Sequence, residues 1–230
     1  MSYLLLMLSF FKRYRLFWIG LLGFSVIMIS IFYTLLKPEV ILPVYHPNGV
    51  NVELVDSTIQ HQKKYHKIAD FSLLNQNGKV ITQEDYKNKI YVADFFFTTC
   101  QTICPIMTDH MYQIQKKTAN DNDILLLSHT VTPEIDSVSQ LKKYARRKGI
   151  NDSKWNLVTG EKKQIYDLAR KSYLAAKDTP FGGQYDMIHT ENFMLIDKER
   201  QIRGFYDGTD PEAIDRLLKD IKVLKASYRN

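Results

Sequence analysis

The sequence predicts an α/β domain that follows one apolar N-terminal helix, and three observations support this. The segment Leu16–Leu36 contains 21 residues without a charge. Two later apolar runs, at Lys89–Phe97 and Asp123–His129, alternate with segments of helical character. Strands that are apolar nearly throughout are typical of parallel sheets with helices on both faces. The only two cysteines of the 230-residue chain, Cys100 and Cys104, directly follow the first apolar run.

The uncharged N-terminal segment is long enough to cross a bilayer, since a membrane-spanning helix needs about 20 apolar residues. Lys12, Arg13 and Arg15 precede it, so the positive-inside rule predicts a cytoplasmic N-terminus and an exported remainder. A cleaved signal peptide is the alternative, but its apolar core would be only about 7 to 15 residues long. The predicted segments are a basic N-terminus (1–15), a transmembrane anchor (16–36), a linker or lead-in (37–66) and a folded domain (67–230).

The charge of the exported part is unremarkable for a solvated protein surface. Residues 1–42 carry +3 of the formal net charge of +6, which leaves +3 for the rest of the chain. This balance does not indicate a nucleic-acid-binding protein. The densest basic cluster, Lys142–Lys148, falls on a predicted helix, and we interpret it as a solvated helix face.

The elements of the exported part follow from periodicity and from turn residues. Prolines and a glycine interrupt the lead-in, which contains one short predicted strand at Asn51–Leu54. Asn77-Gly78 predicts a hairpin turn within Phe71–Ile81, and Lys89–Phe97 is the first buried strand. The later elements are a helix (Pro105–Lys117), a strand (Asp123–His129), a helix ended by Gly149 (Val138–Lys148), a strand (Trp155–Val158), a helix (Lys162–Tyr173), a hairpin (Asn192–Asp197 and Ile202–Tyr206) and a helix from its N-cap Asp210 to about Leu224.

This order of elements predicts a thioredoxin-like fold, in which functional cysteines lie where a strand turns into a helix. Pro105 is predicted to open that helix, which places Cys100 and Cys104 at its positive end. The helix dipole there favours the thiolate form, which attacks disulfides and binds metals. A plain structural disulfide, or two buried thiols, is the simpler alternative. A four-cysteine zinc site is excluded because the chain has no further cysteines.

The chain has six histidines, and one of them is predicted to be the third residue of the cysteine site. His189 is preferred, because it lies in the loop Gly182–Thr190 just before the final hairpin. Two thiolates and one imidazole suit copper, whereas zinc usually takes a fourth ligand. A loop histidine with a purely structural hydrogen bond is the alternative. The other histidines are predicted to be solvated lead-in residues (His46, His61, His66) or weaker candidates (His110, His129).

With these features the sequence resembles the SCO/SenC family of thioredoxin-like proteins with one N-terminal anchor helix. The resemblance runs from about Phe71 to Leu218. The CxxxCP element with a downstream histidine is fairly specific, because thioredoxins have two residues between their cysteines and peroxiredoxins lack this histidine. The matching pieces are ADFFFTTCQTICPIMT (Ala93–Thr108), TVTPEID (Thr130–Asp136), the region around Trp155 and YDMIHTENFMLID (Tyr185–Asp197).

The resemblance implies that Cys100, Cys104 and His189 bind copper as Cu(I) or Cu(II), with Asp94 close to the site. It implies that the protein delivers copper to the binuclear copper site in subunit II of cytochrome c oxidase, or to another copper-accepting protein, or prepares the thiols of that site. The resemblance therefore favours a metallochaperone over an enzyme, with thiol–disulfide reductase activity as the possible enzymatic function. A thiol reductant would be a further partner. The domain is expected in the bacterial periplasm, anchored in the inner membrane; a mitochondrial intermembrane space is the alternative, and the absence of an Arg- and Ser-rich transit segment favours the periplasm.

Two positions depart from the family pattern. Ile188 and Thr132 stand where many members have aspartate, so two acidic groups are lost near the expected site. This change bears on copper affinity and on partner docking. Two other functions stay open: a thiol–disulfide oxidoreductase, in which Cys100 attacks and Cys104 resolves, and a copper or redox sensor. A peroxidase is the least favoured.

Overall fold

The computed structural model describes residues 12–36, 41–50, 58–176, 188 and 190–228. The chain forms two units, residues 1–40 and residues 41–230. The first contains helix α1 (Arg15–Leu36), of which no side chain is buried. Its 22 residues extend about 33 Å, close to the roughly 30 Å thickness of a bilayer's hydrocarbon core. It is long and apolar enough to cross a membrane.

The second unit is built on one mixed sheet with the strand order β2-β1-β5-β4-β3-β6-β7. Strands β3, β4 and β5 are parallel, while β6 pairs with β3 in the antiparallel sense. This is the thioredoxin-like α/β arrangement that the sequence predicts. The strands are β1 (Ser72–Asn75), β2 (Val80–Thr82), β3 (Ile90–Phe96), β4 (Ile124–Thr130), β5 (Trp155–Thr159), β6 (Asn192–Ile196) and β7 (Ile202–Asp207).

Helices cover both faces of the sheet, and the alternation along β3 defines the two sides. Ile90, Val92 and Phe96 pack with the buried residues of the helices on one face. Tyr91 and Phe95 pack on the opposite face. The first face carries α2 (Ile103–Lys117), α3 (Val138–Lys148) and α5 (Pro211–Ala226), whereas α4 (Lys162–Asp167) and a following π-helical turn (Leu168–Ser172) lie on the other.

The turn and cap residues act as the sequence predicts. Gly78 has a φ of +73° in the β1–β2 hairpin, and Gly149 ends α3 with a φ of +69°. This left-handed conformation favours glycine, which has no Cβ to clash. Asp210 caps α5 by accepting hydrogen bonds from the backbone N–H groups of Glu212 and Ala213.

Two predicted element limits are wrong, and one strand cannot be compared. Helix α2 begins at Ile103, so Pro105 is its third residue and not its first. This position still tolerates proline, because the first four N–H groups of a helix have no partner within it. The predicted helix to Tyr173 is α-helical only to Asp167 and continues as the π-helical turn. The predicted strand Asn51–Leu54 lies outside the described residues.

Several residues of the predicted lead-in belong to the folded unit. Leu42 joins the core, and the Tyr45 N–H donates to the Ile202 carbonyl at 2.9 Å. His66 was predicted to be solvated, which is wrong: it is 5% exposed, and its Nε2 lies 2.7 Å from the Ser172 carbonyl oxygen. The compact unit therefore extends further toward the N-terminus than residue 67.

Candidate cysteine site

The two cysteines lie where β3 turns into α2, at the C-terminal end of the parallel strands. The Cys100 N–H donates to the Phe97 carbonyl at 3.3 Å, which closes the turn that presents this thiol. Cys104 is the second residue of α2 and packs among the core residues on the sheet face that carries α2, α3 and α5. Both thiols are free, and Cys100 is half-buried whereas Cys104 is buried. The more accessible sulfur is therefore the first one along the chain.

The two thiols differ strongly in acidity. Partial burial acts to raise the pKa of Cys100, but hydrogen bonds from the Cys104 backbone N–H and thiol and from Thr102 outweigh it and lower the pKa to about 7. Burial raises the pKa of Cys104 to about 12, and the neighbouring Cys100 adds to the effect. Near neutral pH Cys100 is therefore partly ionised while Cys104 stays protonated, which is the usual division between an attacking and a resolving cysteine.

Asp94 is a buried carboxyl group on the same face of β3 as this pair. It is 2% exposed, and among the described residues its Oδ1 has no hydrogen-bond partner. Burial raises its pKa to about 7, although a hydrogen bond from the Ser128 hydroxyl acts in the opposite direction. When ionised, Asp94 in turn raises the pKa of Cys104. The carboxyl group is therefore electrostatically coupled to the buried thiol.

A second buried carboxylate, Asp136, fixes the backbone just before Cys100. It is fully buried and accepts hydrogen bonds from the Thr98 N–H at 3.1 Å and from the Thr98 hydroxyl at 2.5 Å. The Thr130 and Thr132 hydroxyls donate to it at 2.5 and 3.1 Å. Asp136 thus ties the ends of β3 and β4 together. Asp136 has no predicted role in the sequence, although the threonines that precede Cys100 were a usable signal.

The same contacts give a structural meaning to the departures at Thr132 and Ile188. The Thr132 hydroxyl donates to the Asp136 carboxylate, so an aspartate at residue 132 would place a second negative charge beside a buried one. Ile188 is 4% exposed and packs in the core on the α4 face of the sheet. Both side chains are therefore buried, so neither is exposed to solvent in place of the aspartate that many family members have.

Among the described residues, no histidine forms a metal-binding group with the two cysteines. His129 is directly opposite Phe95 in the sheet, so it belongs to the face away from Cys104. It is fully buried and stacks on Phe95 with 5.0 Å between ring centroids, and burial lowers its pKa to about 4. The His110 Nδ1 lies 2.7 Å from the Gly208 carbonyl oxygen.

His189 lies outside the described residues, so its place in a ligand set stays a prediction. Within the described ranges, no group of three or more histidine, cysteine, aspartate or glutamate side chains is arranged to hold a metal ion. The described site therefore offers two adjacent sulfurs. Thiolates are soft ligands that select Cu(I), and the same pair can form a disulfide.

Comparison with known proteins identifies relatives over most of the folded unit. A family model described as SCO1/SenC matches residues 59–225. The SCO1 protein homolog of Bacillus subtilis (strain 168) is 35% identical over 159 residues, which cover 68% of this chain and 82% of the relative.

Two of the matching solved structures concern a disulfide switch and bound copper, respectively. One reports a disulfide switch in BsSco, a member of the Sco family of cytochrome c oxidase assembly proteins; it is 34% identical, covers 69% of this chain and 93% of its own, and has a TM-score of 0.59. Arabidopsis thaliana ScoI with copper bound is 27% identical, covers 67% and 97%, and has a TM-score of 0.54.

Proposed function

Because the chain belongs to the SCO1/SenC family, we propose that it is a membrane-anchored copper-binding protein that serves the assembly of cytochrome c oxidase. In this proposal it delivers copper to the binuclear copper site of subunit II, and Cys100, Cys104 and His189 are its ligands. The observation that carries the proposal is the pair of free thiols at the start of α2, one of low and one of high pKa.

Copper is the cargo and not a permanent cofactor, so the ligands must both hold it and release it. Cys100 is partly ionised near neutral pH and binds readily, whereas Cys104 must first lose its proton. Cu(I) stabilises that deprotonated form, because metal binding favours a thiolate over a thiol. Release follows by exchange: the thiolates of the acceptor replace Cys100 and Cys104 one at a time, and protons return to the two sulfurs.

The anchor helix supports an acceptor that is itself held in the membrane. Tethering the domain to the membrane raises its effective concentration near such a target. Basic residues precede α1, and the positive-inside rule then places the cysteine-containing domain on the outer side of the inner membrane, in the periplasm. That compartment is oxidising, so a reductant must keep the two thiols free between rounds of copper transfer.

The full chain, purified in a non-ionic detergent and reduced, tests this function. After loading with Cu(I) or Cu(II) and desalting, about one copper ion per chain should remain, as expected for one site built from these ligands. Cys100→Ser and Cys104→Ser should each abolish tight binding. His189→Ala should remove the thiolate-to-Cu(II) charge-transfer band more completely than it weakens Cu(I) binding, because two thiolates alone suit Cu(I). Unchanged copper content in both serine variants would contradict the proposal.

The unequal acidity of the cysteines also favours a second function, thiol–disulfide exchange that reduces the acceptor's cysteines before copper arrives. A Cys100 thiolate would attack the acceptor's disulfide, and Cys104 would resolve the mixed disulfide. This activity needs no histidine, so His189→Ala separates the two functions. Loss of Cu(II) binding with full reductase activity identifies copper binding as the role of His189. If copper is not retained by the native chain while disulfides are reduced efficiently, reductase is the main function.

A further inference from the structure

We propose that the exposed side of helix α3 is a docking surface for a partner protein whose thiol-bearing site is surrounded by acidic residues. This inference rests on the proposed function, because it names the chemistry of the acceptor that approaches Cys100. The surface consists of four basic side chains, which we call the α3 basic face: Lys142, Lys143, Arg146 and Arg147.

The α3 basic face carries positive charge that the folded unit does not neutralise. Helix α3 has the sequence VSQLKKYARRK and contains no acidic residue. All four side chains are exposed, and none forms an ion pair within the part of the chain that the structure describes. By contrast, the fifth basic residue, Lys148, contacts Asp109 of α2 at 2.8 Å. The concentration of charge is therefore a property of the outward side of α3.

This face lies beside the cysteine turn. At the start of α3, the Gln140 Nε2 donates to the Thr98 hydroxyl at 3.0 Å, and Thr98 precedes Cys100 by two residues. Lys142 and Lys143 follow Gln140 by a rise of only roughly 3 to 5 Å along the helix. Lys142 and Lys143 therefore lie on the first turns of the helix whose start contacts the residues just before Cys100.

Further along α3, packing against the cysteine helix continues. The Tyr144 hydroxyl lies 2.7 Å from the Thr108 hydroxyl of α2, and the Arg147 guanidinium lies over the Tyr144 ring at 5.3 Å. The two helices therefore run side by side from the cysteine turn. A partner that covers Cys100 and extends along α2 would also meet the α3 basic face.

Two exposed isoleucines add apolar area near the cysteine turn. Ile106 follows Cys104 on α2 and is 46% exposed, and Ile135, which precedes the Asp136 clamp, is 52% exposed. Apolar residues at the centre with charges around them are typical of protein–protein interfaces. The matching partner surface is apolar next to its sulfurs and acidic at its rim.

An acidic protein fits this surface better than an anionic membrane does. A lipid surface on the α3 basic face would cover the approach to Cys100 without supplying a thiol or a disulfide. A protein with acidic residues around its cysteines would be steered by the same charges toward the reactive sulfur, which raises its association rate.

A disulfide-exchange reaction measures such docking directly, because it consumes one peptide disulfide for each protein disulfide that forms. The Cys100 thiolate attacks one sulfur of a peptide disulfide, which forms a mixed disulfide and releases one peptide thiolate. Cys104 loses its proton and attacks the Cys100 sulfur, which releases the second peptide thiolate. The protein is oxidised to the Cys100–Cys104 disulfide, and the peptide is reduced to two thiols.

The probes are three synthetic peptides with one internal disulfide each, flanked by aspartates, by serines or by lysines. The full chain in non-ionic detergent is compared with the charge-reversal variant Lys142→Glu/Lys143→Glu. The control variant, Lys219→Glu/Lys222→Glu, carries the same change of charge on exposed residues of α5. Lys222 precedes Lys225 by one turn, and Lys225 pairs with Asp121, which precedes the N-terminal end of β4, whereas the cysteines follow the C-terminal end of β3.

At low salt, the native chain should reduce the aspartate peptide at least about threefold faster than the serine peptide, since electrostatic steering raises association rates by about 10-fold or more. The preference should fall toward one at about 0.5 M salt, where charges are screened beyond a few Å. Lys142→Glu/Lys143→Glu should abolish it, whereas the α5 control should keep it.

Equal rates for the aspartate and serine peptides, or equal loss of the preference in both variants, would overturn the docking proposal. Binding of the native chain to anionic lipid vesicles that Lys142→Glu/Lys143→Glu abolishes, without any peptide preference, would assign the face to the membrane instead. Reduction of the serine peptide and the copper content of each variant report on the proposed function separately. If the native chain neither retains copper nor reduces the serine peptide, the proposed function is refuted, and not only the docking surface.

Discussion

Replacing Asp94 with asparagine should stabilise the folded unit at alkaline pH. Asp94 is 2% exposed, and among the described residues its Oδ1 lacks a hydrogen-bond partner. The ionised carboxylate is therefore poorly accommodated, which is why burial raises its pKa from 3.8 to about 7. Asparagine has nearly the same shape but never carries the charge. The substitution removes an unfavourable ionisation and leaves the packing of β3 unchanged.

The size of the effect follows from the two pKa values. Because the folded-state pKa is raised, the stability contribution of Asp94 is greatest below its unfolded pKa and is lost as pH rises through about 7. Between pH 5 and pH 8 the folded form with Asp94 should lose about 2 to 3 kcal/mol of unfolding free energy through this group. Asp94→Asn should not show this loss, so the two stability curves should diverge as pH rises.

Urea unfolding of residues 41–230, followed by the circular dichroism of aromatic residues, measures this difference. Both forms should carry Cys100→Ser and Cys104→Ser, so that thiol ionisation and oxidation do not contribute. Asp109→Asn, at an exposed carboxylate of α2, controls for the general effect of replacing an aspartate. Parallel stability curves with and without Asp94 between pH 5 and pH 8 would refute the reasoning, because the carboxyl group would then ionise as freely in the folded chain as in the unfolded one.

Three further predictions concern the cysteine turn and helix α3. Iodoacetamide should alkylate Cys100 with a midpoint near pH 7, and Cys104→Ala should move the midpoint upward by removing a thiol hydrogen bond; an unchanged midpoint would contradict that role. Asp136→Ala should lower the free energy of unfolding by about 3 to 5 kcal/mol in urea titrations, because it leaves buried donors such as the Thr98 N–H unpaired; a loss below about 1 kcal/mol would refute the clamp. Gly149→Ala should cost about 1 to 2 kcal/mol, measured by thermal unfolding, because its φ of +69° disfavours a Cβ; no loss would show that the turn relaxes.

Much of the fold was predictable because its signals are local in the sequence. The apolar run of β3 is buried at every residue, as its composition predicts. Gly149 and Asp210 mark the end of α3 and the start of α5, because a left-handed φ and a side-chain cap are properties of single residues. The start of α2 was misplaced by two residues, because a proline fits any of the first positions of a helix.

The candidate site was predictable only in part. The cysteine pair was visible as a motif, and Asp94 was expected near the site only from the resemblance to the family. The Asp136 clamp was not, because its partners Thr98 and Thr130 come from the ends of two strands that only the sheet brings together. The position of the α3 basic face beside Cys100 likewise depends on contacts between elements.

By itself, the sequence determined which segments are strands and helices, the presence of an anchor-like helix and the pair of thiols between β3 and α2. These features depend on periodicity, on local turn residues and on chain neighbours. Only the tertiary structure decided that Asp94 shares a face with Cys104 while His129 faces the other way, and that Cys100 is the more acidic thiol. Such properties depend on strand order, burial and hydrogen bonds between distant residues, which a linear pattern does not specify.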